Sequence, residues 1–323
     1  MAGVVVTAKS AELRHSDWRE AAPSSRRLGV VPRGKAGGPR ATLHVWTEGG
    51  IWIGNAALDA PRAHFTAAIK VALAGRFRVR ARGMDWCAAE AILTAPNAEQ
   101  QVDGRGVRIA NVLVDPETDA YARLMPRLAA SPGGVSVLEP SLVEALRQEA
   151  STLEDSSRSH VAVWDSMISR LAIGPARPRS LDPRVRRVAA VLKRELVTPR
   201  KVAELADLVN LSEGRLTHLF SEEMGLPLRQ YVLWLRVRDV VFSLAAGATL
   251  TEAAHDAGFS DSPHLSRTFR AMFGDPPSVL VPSRGPFDLR FDLETALARP
   301  GPHVETDRAR IERIAAARGL HAA

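Results

Sequence analysis

Residues 249–274 read TLTEAAHDAGFSDSPHLSRTFRAMFG, and this stretch predicts two short helices separated by a turn. Thr249 and Glu252 have the spacing of a capping box, in which the threonine hydroxyl caps an exposed amide and the glutamate reaches back. Gly258 interrupts the helical pattern, and apolar residues then recur at helical spacing until Gly274. Two short helices across a tight turn, the second with a polar outer face, are typical of a helix-turn-helix.

The same pattern occurs earlier, in residues 202–225. A short helix is followed by a break at Asn210, and Ser212 then caps a second helix that ends at Gly225. Between the two copies, residues 227–246 predict one helix of about 20 residues, which would be about 30 Å long. Successive major grooves on one face of B-DNA lie about 34 Å apart, so this length suits two units in neighbouring grooves.

Four segments of this region carry a resemblance: TLTEAA at 249–254, GFSD at 258–261, LSRTF at 265–269 and FGDPP at 273–277. On these residues the region 185–284 resembles the AraC/XylS family of bacterial transcription regulators. The resemblance implies an all-α DNA-binding domain with two helix-turn-helix units joined by a long helix. Each unit would place one recognition helix in the major groove of double-stranded DNA.

Outward-facing residues of the two second helices are the candidates for DNA contact. Base contacts are expected from Gly214, Thr217, His218, Ser262, His264, Ser266 and Arg267. Because arginine can bind guanine through two hydrogen bonds, Arg267 is the strongest of them, with a phosphate contact or an ion pair as the alternative. Phosphate contacts are expected from Arg200, Lys201, Arg229 and Arg270, for each of which a solvated surface is the alternative.

The amino-terminal half has a different pattern, with short apolar segments separated by turns. Residues 76–82 alternate basic and apolar side chains with period two, which predicts a half-buried antiparallel strand. Several such segments predict a small barrel or sandwich. Strand number and the segment APRAH at 60–64 resemble the cupin-like β-barrel that binds a small effector in many AraC/XylS regulators. We therefore expect an effector pocket that includes Trp46, Trp52, Arg62 and His64.

A metal-dependent cupin enzyme with a helical appendage is the alternative function. Enzymatic cupins hold a metal with several histidines and a carboxylate, whereas only His44 and His64 lie in this region, and the segment EQQ at 99–101 stands near the place where a further ligand histidine would be expected. We therefore expect no metal, no cofactor and no catalytic residue.

Composition and charge set the wider organisation. The chain has 323 residues, which leaves room for about two domains. Residues 1–40 hold 8 Lys or Arg against 3 Asp or Glu, a net charge of +5 out of +7, and predict a basic, disordered head. We expect an α+β protein with a cupin-like β-domain at 41–130, a helical dimerisation segment and linker at 131–180, the DNA-binding domain at 181–285 and a tail at 286–323.

The apolar stripe of residues 160–171 has three explanations at this stage: a dimer interface, docking against the β-domain, or ordinary packing within its own domain. One cysteine and no long apolar segment predict a cytoplasmic protein without a membrane partner. The expected partners are DNA, a small-molecule effector and a second copy of the chain, with RNA polymerase as a further candidate.

Overall fold

The structure is a computed structural model that describes residues 41–46, 48–55, 60–153, 159–174, 178–281 and 287–291. The basic head predicted at 1–40 lies outside the described residues, as does most of the tail. The described part consists of two β-sheets with three helices in the amino-terminal half and six helices in the carboxyl-terminal half.

The larger sheet runs in the order β10-β7-β4-β9-β2-β1-β11. Its strands are β1 Ala41–Trp46, β2 Gly49–Asn55, β4 Ala67–Ala72, β7 Ala91–Thr94, β9 Arg108–Val114, β10 Val135–Val137 and β11 Phe287–Phe291. All neighbours in it are antiparallel except β1 and β11, which are parallel. A segment of the expected tail therefore contributes an edge strand to this sheet.

The smaller sheet runs in the order β3-β8-β5-β6. Its strands are β3 Arg62–Ala63, β5 Phe77–Ala81, β6 Met84–Ala89 and β8 Glu99–Asp103. In β5 the side chains of Phe77, Val79 and Ala81 are buried while Arg78 is exposed, as the alternation predicts. Phe77 and Val79 pack against Ile92 and Ile109 of the larger sheet, so the two sheets enclose a common apolar layer.

The expectation of a closed barrel is wrong for the described residues. A barrel closes only when its edge strands pair with each other. Here β3 has two residues and pairs with β8 alone, while β6 at the other edge pairs with β5 alone. The sheets therefore form an open sandwich.

Helices α1 Asp119–Ala129, α2 Pro140–Ser151 and α3 His160–Leu171 cover the outer face of the larger sheet. Trp164, Met167 and Ile168 of α3 are buried in this layer. Of the three explanations for the apolar stripe at 160–171, the structure shows docking against the β-domain. The stripe needs no second copy to cover it, and dimerisation stays a prediction.

Six helices follow: α4 Pro183–Arg194, α5 Val202–Leu208, α6 Glu213–Met224, α7 Leu228–Ala245, α8 Leu250–Asp256 and α9 Ser262–Phe273. We call α5 and α6 the first helix pair, and α8 and α9 the second helix pair. The turn of the first pair has Asn210 at φ 54°, and that of the second has Gly258 at φ 79°. Helix α7 joins the pairs over 18 residues.

Local signals in the sequence account for the ends of these helices. The Thr249 hydroxyl accepts a hydrogen bond from the Glu252 amide, and the Glu252 carboxylate accepts one from the Thr249 amide, as a capping box requires. Gly225 and Gly274 follow α6 and α9 in the left-handed region, where a β-carbon would be strained.

The second helix pair shares its core with the larger sheet. Leu265, Phe269 and Met272 of α9 belong to the same apolar cluster as Ala68 of β4 and Leu113 of β9. The first pair packs instead in a separate cluster with α4 and the beginning of α7.

Candidate nucleic-acid interface and interdomain chamber

Helix α6 presents a short polar surface to solvent. Leu216, Leu219 and Phe220 are buried, which leaves Gly214, Arg215 and His218 exposed. The Thr217 hydroxyl donates to the carbonyls of Glu213 and Gly214 within its own helix, both at 3.0 Å. His218 Nδ1 lies 3.6 Å from the Glu222 carboxylate. The structure therefore gives α6 one exposed glycine, one exposed arginine, a hydroxyl engaged by its own backbone and a histidine beside an acid.

Helix α9 presents a more basic surface. Asp261 caps the helix by accepting a hydrogen bond from the His264 amide, and this bond is the main reason why the pKa of Asp261 is lowered. The His264 ring meets the edge of Phe259, with 5.2 Å between ring centroids, and its Nδ1 lies 3.2 Å from the Ser260 hydroxyl. The His264 side chain therefore already contacts neighbouring residues of its own helix pair.

Arg267 and Arg270 are exposed on α9, and Ser262 and Ser266 are partly exposed. Among the described residues, Arg267 forms no hydrogen bond and no salt bridge, so its guanidinium is available to a ligand.

The candidate phosphate contacts differ in their surroundings. Lys201, Arg229 and Arg270 are exposed. Arg200 forms two hydrogen bonds to the carboxylate of Glu195, at 2.8 and 3.0 Å, so a phosphate would have to compete with that carboxylate.

A chamber lies between the inner face of the larger sheet and the carboxyl-terminal helices. Its cavity volume is about 130 Å³, and it is open to solvent on one side. The sheet side is formed mainly by β1, β2, β4 and β9, and the opposite wall by α7, α9 and the 3-10 turn Pro277–Leu280. Apolar side chains make up most of the wall, among them Leu43, Leu113, Val237, Val241, Phe269 and Phe273.

Polar residues form one row across the sheet side of this chamber. Lys70 of β4 is paired with Asn111 of β9, and Asn111 is paired with Trp52 of β2. Lys70 and Asn111 are 5% and 6% exposed. Among the described residues, the Asn111 Oδ1 has no hydrogen-bond partner.

His64 stands at the same wall. Burial holds the pKa of His64 well below its ordinary value, and the positive charges of Lys70 and Arg62 lower it further. The imidazole is therefore neutral near pH 7, and its Nδ1 has no hydrogen-bond partner within the described ranges.

The four residues expected in an effector pocket are not all in one place. Trp52 and His64 line the chamber. Arg62 lies instead beside it, with its guanidinium against Gly274 at the end of α9. Trp46 is on the other face of the sheet, 2% exposed, with its ring edge-on to Trp164 at 5.7 Å between centroids, so this tryptophan does not reach the chamber. The period-two alternation places Trp46 and Trp52 on opposite faces of the sheet.

Sequence reasoning missed Lys70 and Asn111. The only available signal was a polar residue within each of two apolar segments, AAIKVA and RIANVLV. Which face such a residue occupies depends on strand register and on what covers each face.

A buried polar cluster connects the two halves of the chain. Asp115 accepts hydrogen bonds from Arg238 Nη1 at 3.0 Å and from Trp234 Nε1. Glu117 lies 2.9 Å from Lys193 Nζ and accepts a hydrogen bond from the Tyr231 hydroxyl at 2.6 Å. The two carboxylates follow β9, whereas their four partners belong to α4 and α7.

The described residues contain no group of three His, Cys, Asp or Glu side chains placed to hold a metal ion. In the same part of the chain, the structure contains no helix with the length and apolar character needed to cross a bilayer.

Comparison with known proteins finds matches to the carboxyl-terminal region of the chain. Residues 205–281 match the family model described as a helix-turn-helix domain. The transcriptional regulator GbdR of Pseudomonas aeruginosa is 31% identical over 97 residues, which are 30% of this chain and 26% of that protein. The Msm operon regulatory protein of Streptococcus mutans is 27% identical over 95 residues, 29% of this chain and 34% of that protein. The match therefore spans about a quarter to a third of these relatives.

The fold also has a counterpart among solved structures. A crystal structure of apo ToxT from Vibrio cholerae covers 73% of this chain and 97% of its own, at 12% sequence identity and a TM-score of 0.52. The likeness concerns the arrangement of a sheet domain followed by a helical domain.

Proposed function

The carboxyl-terminal domain of this chain belongs to the AraC/XylS family, and from this premise we propose that the whole chain is a sequence-specific DNA-binding transcription regulator. The observation that carries the proposal is the helix-turn-helix match over residues 205–281, because that range reaches from the first helix pair to the end of the second. Each pair would act as one helix-turn-helix unit, with α6 and α9 as recognition helices and α7 as the spacer between them.

Helix α9 would provide most of the base recognition. Its Arg267 is exposed and can form two hydrogen bonds to guanine, while Ser262 and Ser266 can add single or water-mediated contacts. On α6, Thr217 and His218 are held by neighbours in their own helix. The exposed Arg215 is the one further cation on α6, so the first helix pair would contribute phosphate contacts and fewer base contacts than the second pair.

The amino-terminal domain would control the regulator through a small effector bound in the interdomain chamber. The chamber supports this part of the proposal because it is concave and mainly apolar, has a few convergent polar groups and is walled by both domains. No observation in the described residues favours the metal-dependent enzyme, and the family match points to a regulator.

Homodimerisation is a further part of the proposal. Residues 181–285 hold 14 Lys or Arg against 12 Asp or Glu, a net charge of +2, so one domain would gain little affinity from phosphate neutralisation. Two copies on adjacent sites would compensate for this. Contact with RNA polymerase is a further part of the proposal, and it depends on the regulator function.

The test is selection of bound fragments from genomic DNA at a fixed salt concentration, followed by affinity measurements on the selected site. Arg267→Ala should weaken binding to that site by about 1–3 kcal/mol, roughly 5- to 150-fold, and relax one base preference. Arg267→Lys is the matched control, because it keeps the charge and loses the two-bond geometry. A protein that selects no preferred sequence would refute the proposal, and an equal loss on random DNA would make Arg267 a phosphate contact.

A further inference from the structure

We propose that the interdomain chamber binds an amphipathic organic anion and that its occupant acts on the second helix pair, leaving the first helix pair in place. The inference rests on the proposed regulator function and adds two things to it, the chemical class of the effector and the route by which it is sensed.

The apolar walls of the chamber favour a ligand whose larger part is apolar. Aliphatic and aromatic side chains approach from both domains, with Trp52 and Leu113 on the sheet side and Val241, Phe269 and Phe273 on the helix side. The cavity volume of about 130 Å³ is close to the roughly 150 Å³ of an apolar cavity that binds benzene, so the chamber can hold the apolar part of a small organic molecule. Burial of apolar ligand surface here would supply most of the binding free energy.

The sheet side of the chamber favours an anionic group at one end of the ligand. Lys70 brings a positive charge to a wall where it is 5% exposed, and its cross-strand neighbour Asn111 offers a buried side-chain amide. The Asn111 Oδ1 has no hydrogen-bond partner among the described residues, so a polar ligand atom would satisfy a buried group. An ammonium beside an amide and a neutral histidine can hold a carboxylate or a sulfonate.

The other charged groups at this wall do not reverse that preference. Arg238 lines the chamber, but its guanidinium is hydrogen-bonded to Asp115. Asp275 also lines it, but the nearby Arg62 guanidinium balances the negative charge of this carboxyl.

The helices that form the chamber wall indicate how a bound ligand would affect DNA binding. From the DNA-binding region, the chamber is lined by α7 from Trp234 onward, by α9 and by the segment 275–280, and by no residue of α4, α5 or α6. Phe269 and Phe273 are one helical turn apart on the inner side of α9. A ligand that displaces these rings would move the helix that carries Arg267.

The first helix pair and the helices that pack with it are connected to the amino-terminal domain by other contacts. Lys193 of α4 and Tyr231 of α7, two helices that share a core with the first pair, both bind the buried Glu117. Gly225 at the end of α6 lies close to the Tyr121 hydroxyl and to Pro96. None of these residues lines the chamber, so its occupancy would leave the first pair where it is.

Two dyes with the same apolar rings test the ligand class on the full chain. 1-Anilinonaphthalene-8-sulfonate carries a sulfonate, and N-phenyl-1-naphthylamine does not. Lys70→Met should weaken the anionic dye at least about tenfold and the uncharged dye less than about threefold, because one charged hydrogen bond is lost only with the former. Val279→Trp, which adds bulk at the chamber wall, should weaken both dyes, and Arg187→Met, at an exposed position outside the chamber, should weaken neither.

Equal dye affinity in the native chain, Lys70→Met and Val279→Trp would overturn the proposed site. If Lys70→Met does not fold, the result with Val279→Trp still decides whether the dye occupies the chamber, and the native chain's preference between the two dyes decides the ligand class.

The effect of the ligand on the second helix pair is tested on the selected DNA site. The half of that site contacted by α9 is identified first, as the half in which Arg267→Ala relaxes a base preference. The anionic dye should change affinity for the intact site by at least about fivefold, the lower end of usual allosteric coupling. That change should persist when the half-site of α6 is scrambled and vanish when the half-site of α9 is scrambled. A change that survives both scrambles equally, or no change with the dye bound, would overturn the route. A chain without any sequence preference would instead remove the proposed function, and this inference with it.

Discussion

Asp115→Asn is expected to destabilise the protein strongly, because it removes the charge that pairs with a buried guanidinium. Asp115 and Arg238 are 4% and 3% exposed at their side chains, and the hydrogen bond between them measures 3.0 Å. Removing one partner of a buried ion pair usually costs about 3–5 kcal/mol, since the other charge stays out of water. The asparagine can still accept from Trp234 Nε1, so the loss belongs to the ion pair.

The measurement is the free energy of unfolding of the full chain in urea, followed by tryptophan fluorescence. Asp103→Asn is the matched control, because Asp103 pairs with Arg105 at 3.0 Å while the arginine side chain is 69% exposed. An exposed pair of this kind contributes about 0–1 kcal/mol. On the usual scale of about 2–4 °C per kcal/mol, Asp115→Asn should lower the Tm by at least about 6 °C.

A double-mutant cycle separates the pair from the packing around it. Arg238→Met removes the guanidinium and keeps much of the side-chain volume, so Asp115→Asn should cost much less in that background. The reasoning fails if Asp115→Asn costs no more than Asp103→Asn, or if the two losses at 115 and 238 simply add. Either result would mean that the junction between the domains is held by apolar contacts alone.

Two further predictions concern the region around α9. The pKa of His64 is lowered in the folded state, so on acidification the unfolded chain binds a proton at this histidine before the folded chain does. The free energy of unfolding should therefore fall as the pH is lowered through about 6.5, by up to about 1.4 kcal/mol per pH unit. His64→Gln should remove this part of the pH dependence in urea titrations on either side of that pH, and an unchanged slope would contradict a neutral buried imidazole. Gly274→Ala should cost about 1–2 kcal/mol for its φ of 89°, and more because the Arg62 guanidinium occupies the place of the new methyl group. Gly247→Ala, with φ of 87° and open space, should show the backbone cost alone, and equal thermal shifts for the two variants would rule out the Arg62 contact.

The helices of the carboxyl-terminal half could be located from the sequence because their signals are local. A capping box at Thr249, a capping serine at Ser212 and left-handed glycines at 225 and 274 act within one turn of chain. The exposed position of Arg267 follows from the same helical period. The helix-turn-helix match covers the same region, residues 205–281.

The amino-terminal half was predicted less completely because sheets depend on partners that are distant in sequence. Alternation in 76–82 identified a strand and its buried face, but it could not tell an open sandwich from a closed barrel. The pairing of β1 with β11, a segment from the tail, joins residues about 246 positions apart, and no local pattern indicates it.

The amino-acid sequence by itself determined the elements of the DNA-binding region and the residues that its helices expose, because caps, turns and helical periodicity are set by neighbours within a few positions. Only the tertiary structure decided where the chamber lies, that Lys70 and Asn111 rather than Trp46 face it, and that Asp115 and Glu117 hold α7 and α4. These facts depend on strand register and on the docking of one domain against another. Both are fixed by the burial of whole surfaces, which no single segment contains.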